Sequence, residues 1–477
     1  MDKLFFQLMK PELLLTGLIF IFLFAKIAGG AEDNKKFLFW ANVLLILNFV
    51  AGFVWTPAGP GVLFSTMYFS NGTILLEKNI LNFALVLVSL LSYDWLNKGK
   101  NASEFYMLLL SSQLGMFFLL SSGNFLMFFL AMELSTIPLA ALSNFDLDRP
   151  KSPEAAFKSI MSSAFASAIM LFGISLIYGA TGAIAFAGPE GVISNLMPGS
   201  PIQLMGFVFI FVGLAFKLSL VPFHLWTADV YEGSPVSITA TLAVISKGTF
   251  IFVFATTMNT VFAAFFGGWE RMLMISIMIT ISFGNFMAVR QDNLKRLLAF
   301  SSIAQMGYLL MGVLCGPTAM GGSAVIYFMV IYIFSSLAMF SVVALVFNRT
   351  GKDDIADYRG FYQNNKLLSW VIAIALFSLA GIPPTAGFFG KYFLLTAGAA
   401  RGDYWTLGVA CLNMVVSLYY YLRVVKAVFI DKSETPMEKI EVGKLNATTM
   451  AICCAGILVL GFSGQVYEYI SGFFMHK

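Results

Sequence analysis

Gly213-Leu-Ala-Phe-Lys-Leu-Ser-Leu-Val-Pro-Phe-His-Leu-Trp226 is an apolar stretch with a lysine in its middle and a proline–histidine break just behind it. A lysine at the centre of a membrane helix costs about 2.5–3.5 kcal/mol on insertion scales. Proline removes a backbone donor and clashes with the preceding turn, so a helix carrying Lys217 must break near Pro222. Backbone groups freed at membrane depth have to line a wet cavity or be buried in protein. This one stretch therefore predicts a helical membrane protein with a polar site in its interior.

The rest of the chain agrees. Hydrophobic residues make up 59% of the 477 and charged residues 11%, against roughly 45–50% and about 25% in a soluble globular protein. Mean hydropathy is +0.83, which fits many spans rather than one anchor. Net charge is +4 and no lysine- or arginine-rich run offers a nucleic-acid surface. Cys315, Cys411, Cys453 and Cys454 lie in apolar stretches without the spacing of a zinc or iron–sulfur site, and the adjacent Cys453 and Cys454 read as buried thiols. No glycine-rich phosphate loop is visible. The chain itself is expected to bind no metal, cluster or nucleotide. Its N-terminus runs into an apolar stretch from Leu13 to Phe24 with no cleavage site behind it, so it reads as a retained first helix. The N-terminus also lacks the arginine and serine enrichment of an imported precursor.

Windows of about 20 apolar residues predict an all-α integral membrane fold with fourteen spans: 12–29, 38–56, 79–97, 104–120, 122–143, 157–179, 203–221, 236–258, 270–289, 297–316, 321–347, 367–393, 404–428 and 447–472. Cytoplasmic loops collect lysine and arginine. With both termini outside, twenty of the 29 Lys+Arg residues fall inside and six fall outside: Lys3, Lys10, Lys78, Arg271, Arg401 and Lys477. The remaining three, Lys217, Lys247 and Lys391, lie deep in apolar windows, and so does one carboxylate, Glu133. The asymmetry predicts a multi-pass membrane protein with both termini on the outer side.

Intramembrane ionisable groups are functional by default. Burial disfavours the charged form of any lysine and a neighbouring carboxylate favours it, so the two influences can poise a lysine to take and release protons. Arginine stays charged, and none occupies a window centre. The pattern predicts a proton relay through Lys217, Lys247 and Lys391 with Glu133 as a switchable partner. The plainer readings are that the lysines snorkel to the headgroups, or that a static Glu133–lysine pair locks the bundle. His224, close in sequence to Asp229 and Glu232, either relays a proton to the cytoplasmic side or only bonds a neighbouring helix. Lys158, in Glu154-Ala-Ala-Phe-Lys158, is either a fourth relay member or an interfacial anchor.

A second break, Ala380-Gly-Ile-Pro-Pro-Thr-Ala-Gly387, stands just before Lys391. Spans four to eight and nine to thirteen then form two five-helix halves of opposite orientation, each with its broken helix fourth. Paired interruptions in inverted halves point to a transport site at the midplane. The chain divides into an N-terminal three-helix segment (1–103), a first five-helix repeat (104–258), a second (259–430), and a cytoplasmic loop with a C-terminal helix (431–477).

The stretch 213–226, its continuation Asp229-Val-Tyr-Glu-Gly-Ser-Pro235 with Ser246-Lys247, Asn293-Leu-Lys-Arg-Leu-Leu-Ala-Phe-Ser-Ser-Ile303 with Gly307-Tyr308, and Leu379-Ala-Gly-Ile-Pro383 with Gly390-Lys391 resemble the antiporter-like membrane subunits of NADH–quinone oxidoreductase (respiratory complex I), the subunit N branch in particular. Glu154-Ala155 with Lys158 and Tyr178-Gly-Ala-Thr-Gly182 fit too, and the resemblance covers essentially the whole chain. It implies a proton channel driven by redox chemistry elsewhere in the complex. It also implies roles for Glu133 on the fifth helix, Lys158 on the sixth, Lys217 on the seventh, Lys247 on the eighth and Lys391 on the twelfth. NADH, flavin, iron–sulfur clusters and quinone are then expected in partner subunits, and subunit M and the small membrane subunits are expected as neighbours. Ala228 stands where relatives often carry proline. Lys391 replaces the glutamate usual in subunit M, and the end at Lys477 disfavours subunit L with its lateral helix. Two alternatives stay open: a subunit of a multisubunit sodium/proton antiporter or membrane-bound hydrogenase, and a structural membrane subunit without transport.

Overall fold

The computed structural model describes residues 2–29, 33–54, 59–99, 101–147, 149–316 and 318–475, without the side chains of residues 2–4 and 475. Lys477, one of the six lysines and arginines placed outside, lies beyond them. The described chain is overwhelmingly helical. Eleven helices are long and apolar enough to cross a membrane. Three more apolar helices fall short in length or carry more charge: Lys10–Ile27, Pro201–Lys217 and Lys366–Ala380.

The helices begin where short polar side chains can take up first-turn N–H groups. Asn71, Asn124, Ser200, Asn293, Thr318 and Asp403 each accept such a bond. Burial then sorts the elements. The apolar window of Leu294–Leu314 is 100% buried, that of Val236–Val261 89% and that of Ala319–Thr350 83%. Helices such as Tyr404–Phe429 and Asn34–Val54 lie at the rim and expose Leu412, Val415 and Leu47. An exterior of this kind suits a hydrocarbon solvent, where exposed leucine is not penalised.

Several expectations are corrected. The window at 447–472 is two elements, Lys444–Phe462 and the short helix Gln465–Met475, because Ser463 leaves the helical conformation. The third span begins at Gly72 rather than at residue 79. Lys78 is consequently buried within a helix instead of standing outside it. A hairpin, Gly61–Leu63 with Tyr68–Ser70, interrupts the all-helical pattern in the register Gly61↔Ser70 and Leu63↔Tyr68. Of the adjacent thiols, Cys453 is buried and Cys454 only half-buried, since successive helical residues face different directions.

Both interruptions are present. The first separates Pro201–Lys217 from Leu225–Gly233, and the second separates Lys366–Ala380 from Ala386–Ala400. At the second, Gly381 ends its helix in the left-handed conformation (φ 85°), where a side chain would be strained and would also crowd Lys391. Gly387 lies against the Ser378 carbonyl so closely that a Cβ would overlap it. Gly387→Ala should therefore force the two half-helices apart, at a cost of about 1–3 kcal/mol or more. A lower thermal denaturation midpoint of the solubilised complex is the expected result, and an unchanged midpoint would show that the break tolerates a methyl group.

Candidate functional site

Lys217 is the last residue of Pro201–Lys217. That helix lies tightly against Lys151–Thr181 because glycines meet at the contact: a Cβ on Gly173 would stand 2.7 Å from the Gly206 carbonyl oxygen. The close approach brings Ser163 to the lysine. The buried Lys217 Nζ donates to Ser163 Oγ and to Thr136 Oγ1, both at 2.7 Å. Thr136 lies on Phe125–Ser143, one turn after Glu133. Glu133 shares the helix face of a residue that holds Lys217, and its Oε1 is buried without a hydrogen-bond partner among the described residues. The lysine thus rests on two hydroxyls, with the carboxylate close by and not clamped to it.

The chain is strained just beyond. Ser219 adopts φ 61°, a region costly for a non-glycine residue, and its Oγ is bonded by Thr227 Oγ1 at 2.7 Å. Carbonyls freed by the break find donors: Trp226 Nε1 reaches the Phe216 oxygen at 3.1 Å, and Leu220 N reaches that of Ala215 at 2.9 Å.

Lys247 follows a π-helical turn, Leu242–Ser246, whose wider hydrogen bonding resets the face presented by the next residues. Fully buried, its Nζ donates to Ser302 Oγ at 2.7 Å and lies 5.5 Å from the Tyr231 ring centroid. Phe250, one turn further along the same helix, lies 5.8 Å from Lys217 Nζ. The two lysines therefore share a wall.

Lys391 is held differently. Its Nζ donates to the carbonyl oxygens of Leu379 at 2.8 Å and Ala380 at 3.1 Å, the groups left over where Lys366–Ala380 ends. Gln305 Nε2 bonds the same Leu379 oxygen at 3.1 Å and the Tyr421 hydroxyl at 3.2 Å, and Tyr421 meets Ser301 at 2.5 Å. Ser301, Ser302 and Gln305 all belong to the innermost helix, Leu294–Leu314. That helix contacts Lys247 through Ser302 and reaches Lys391 through Gln305, one turn later. The sequence singled out the lysines but missed Thr136, Ser163, Ser302 and Gln305. The available signal was polar side chains inside apolar windows, a turn apart and opposite a lysine.

His224 and Lys158 lie elsewhere. His224 is buried against Phe283 (ring centroids 4.5 Å apart), with Nδ1 unpartnered, and is close enough to Lys247 for their charges to interact. Its sequence neighbours Asp229 and Glu232 pair with other groups. Lys158 bonds Asp229 at 2.6 Å and Glu154 at 2.7 Å, Arg296 bonds Asp229 at 2.8 Å and Glu232 at 2.7 Å, and Lys151 bonds Glu232 at 2.6 Å. Lys158 is thus part of a half-exposed ionic cluster at the helix ends, apart from the buried lysines. Among the described residues, no group of three His, Cys, Asp or Glu side chains is placed to hold a metal ion.

The site also has relatives. Residues 122–417 match the family described as NADH:quinone oxidoreductase/Mrp antiporter, TM. The NADH-quinone oxidoreductase subunit N of Azobacteroides pseudotrichonymphae is 42% identical over 475 residues, covering 98% of each chain. That of Phocaeicola vulgatus is 41% identical over 467 residues, covering 97% of each. A chain of the respiratory complex I of Thermus thermophilus superposes with a TM-score of 0.78 at 27% identity, covering 94% of this chain and 96% of its own. Similarity at this level over nearly the full length, together with the lysine-bearing broken helices, shows that the chain belongs to the subunit N family of NADH–quinone oxidoreductases, a membrane-subunit family within the NADH:quinone oxidoreductase/Mrp antiporter group.

Proposed function

We propose that this chain translocates protons within a membrane-bound NADH–quinone oxidoreductase, through a midplane chain of Lys217, Lys247 and Lys391 with Glu133 as the partner that biases Lys217. The observation that carries the reading is the set of contacts around the ammonium groups of Lys217, Lys247 and Lys391. Each is held by hydroxyls or carbonyls rather than locked to a carboxylate, so each can lose a proton without breaking a hydrogen-bonded ion pair. Water bridges the Lys217–Lys247 step, where no hydrogen bond among the described residues spans the gap. The side-chain route Lys247–Ser302, then Gln305 one turn on, leads to Lys391. His224, beside Lys247, serves as a branch of the relay, and the Lys158–Asp229–Arg296 cluster gathers protons at the cytoplasmic face.

The eleven apolar helices and the three shorter or more charged ones make fourteen spans, arranged as two inverted five-helix repeats after the three-helix segment. Both termini stand on the periplasmic side of a bacterial plasma membrane. NADH, flavin, iron–sulfur clusters and quinone reside in partner subunits, and subunit M and the small membrane subunits are the neighbours. Quinone reduction elsewhere drives the relay.

Gln305→Leu tests the reading. The substitution keeps the side chain's bulk and removes the bond to the Leu379 oxygen that Lys391 shares. Proton uptake into closed vesicles, per NADH oxidised by the assembled complex, should fall about tenfold or more, as expected when a positioned proton-transfer partner is lost. Uptake at the unmodified ratio would remove the innermost helix from the route.

A further inference from the structure

Two further buried lysines, Lys78 and Lys295, lie outside the relay described above, and Lys78 has a carboxylate buried with it. Lys78, on Gly72–Leu96, and Glu12, on Lys10–Ile27, form an ion pair in which both side chains are 1% exposed. Two hydroxyls complete it. Lys78 Nζ donates to Ser121 Oγ at 2.6 Å and to the Tyr68 hydroxyl at 3.2 Å, and Tyr68 donates to Glu12 Oε2 at 3.1 Å. Replacing a buried pair of this kind by well-packed apolar residues is often neutral or stabilising, so helix packing alone does not call for it.

The pair also has a route outward. Lys78 lines a crevice of about 20 Å³ with Gln7, Lys10, Asn48, Asn79 and Asn82. A crevice of that size holds one water, which needs roughly 10–15 Å³ and two or more polar partners. Asn48 Oδ1 and Asn79 Oδ1, each in a residue more than nine-tenths buried, have no donor among the described residues and line the crevice where they can accept from it. The same helix also touches the segment that carries Lys247: Leu81, one turn beyond Lys78, would lie 3.4 Å from a Cβ on Gly248, the residue after Lys247.

We propose that Glu12 and Lys78, with Tyr68 and Ser121, form a second proton-transfer site that hands protons from the central lysines to water at the periplasmic face through the amide-lined crevice. An arriving proton forms an O–H bond on Glu12. Lys78 releases one N–H proton to the crevice water, and the Glu12 proton then moves to the Lys78 amine, restoring the ion pair. One proton enters, one leaves, and the site returns to its starting charge. The inference rests on the proton-translocating role assigned to the chain.

The test uses the full complex in closed vesicles, with Lys217→Met run beside it as the control for the central relay. Lys78→Arg keeps the charge and the lock but cannot release a proton. The complex carrying it should assemble and translocate at least about threefold fewer protons per electron, the loss expected for a missing proton-transfer group. Glu12→Gln/Lys78→Met, which removes both charges together and leaves no unpaired ion, should assemble and be equally impaired. Normal translocation by either variant makes the pair a static lock and overturns the proposal. Failure of both to assemble assigns the pair to folding and overturns it as well. If Lys217→Met translocates normally, the central relay fails instead, whatever the Lys78 variants do.

Discussion

Lys391→Met should abolish proton translocation and also weaken the protein, whereas Lys391→Arg should restore the stability and leave translocation lost. The Lys391 ammonium takes up the carbonyl oxygens of Leu379 and Ala380 at the end of a broken helix. Leu379 keeps a second donor in Gln305. No second donor to Ala380 is seen among the described residues, and methionine would leave its oxygen buried and unpaired. An orphaned buried acceptor costs about 1–3 kcal/mol, read as a lower denaturation midpoint of the solubilised complex. Arginine supplies donors to the same carbonyls but remains protonated at any physiological pH. The proton count per NADH oxidised should therefore fall by about tenfold or more in both variants, the scale on which a positioned proton donor contributes. An arginine variant that translocates normally would make Lys391 a cap for the broken helix and nothing more.

How much of this could be read in advance differs between fold and site. Long apolar windows marked the spans because hydrocarbon demands them, and Lys217, Lys247 and Lys391 stood out because each violates that demand. Both broken helices followed from proline and glycine at 220–226 and 380–387. Other features depend on contacts between segments far apart in the chain. Lys78 was placed outside because Glu77-Lys78 looks like the charged margin of a span; only the packing of Glu12 and Ser121 around it, 66 and 43 residues away, takes it into the interior. The hydroxyls that hold Lys217 and Lys247 come from three other helices, and serine and threonine in a membrane segment give no local sign of which neighbour they face. Asp229 and Glu232, five and eight residues after His224 in sequence, point to Lys158, Lys151 and Arg296, because helical spacing decided their direction and nearness along the chain did not.

Lys217→Met should impair translocation as severely as Lys391→Met. The Lys217 ammonium, buried on Thr136 and Ser163, has Glu133 one turn before Thr136 and stands against the wall that leads to Lys247. Methionine fills a similar volume and carries no proton. Thr136 and Ser163 each keep a bond to a carbonyl of their own helix or can turn to one, as Thr136 already does with Met132. The expected loss is therefore functional and the complex should assemble. The most direct measurement is the proton-to-electron ratio of that assembled complex in closed vesicles, taken together with its rate of coupled electron transfer. Both should fall by about tenfold or more. A normal ratio at a normal rate would show that protons cross without Lys217, and would contradict a relay built on the buried lysines.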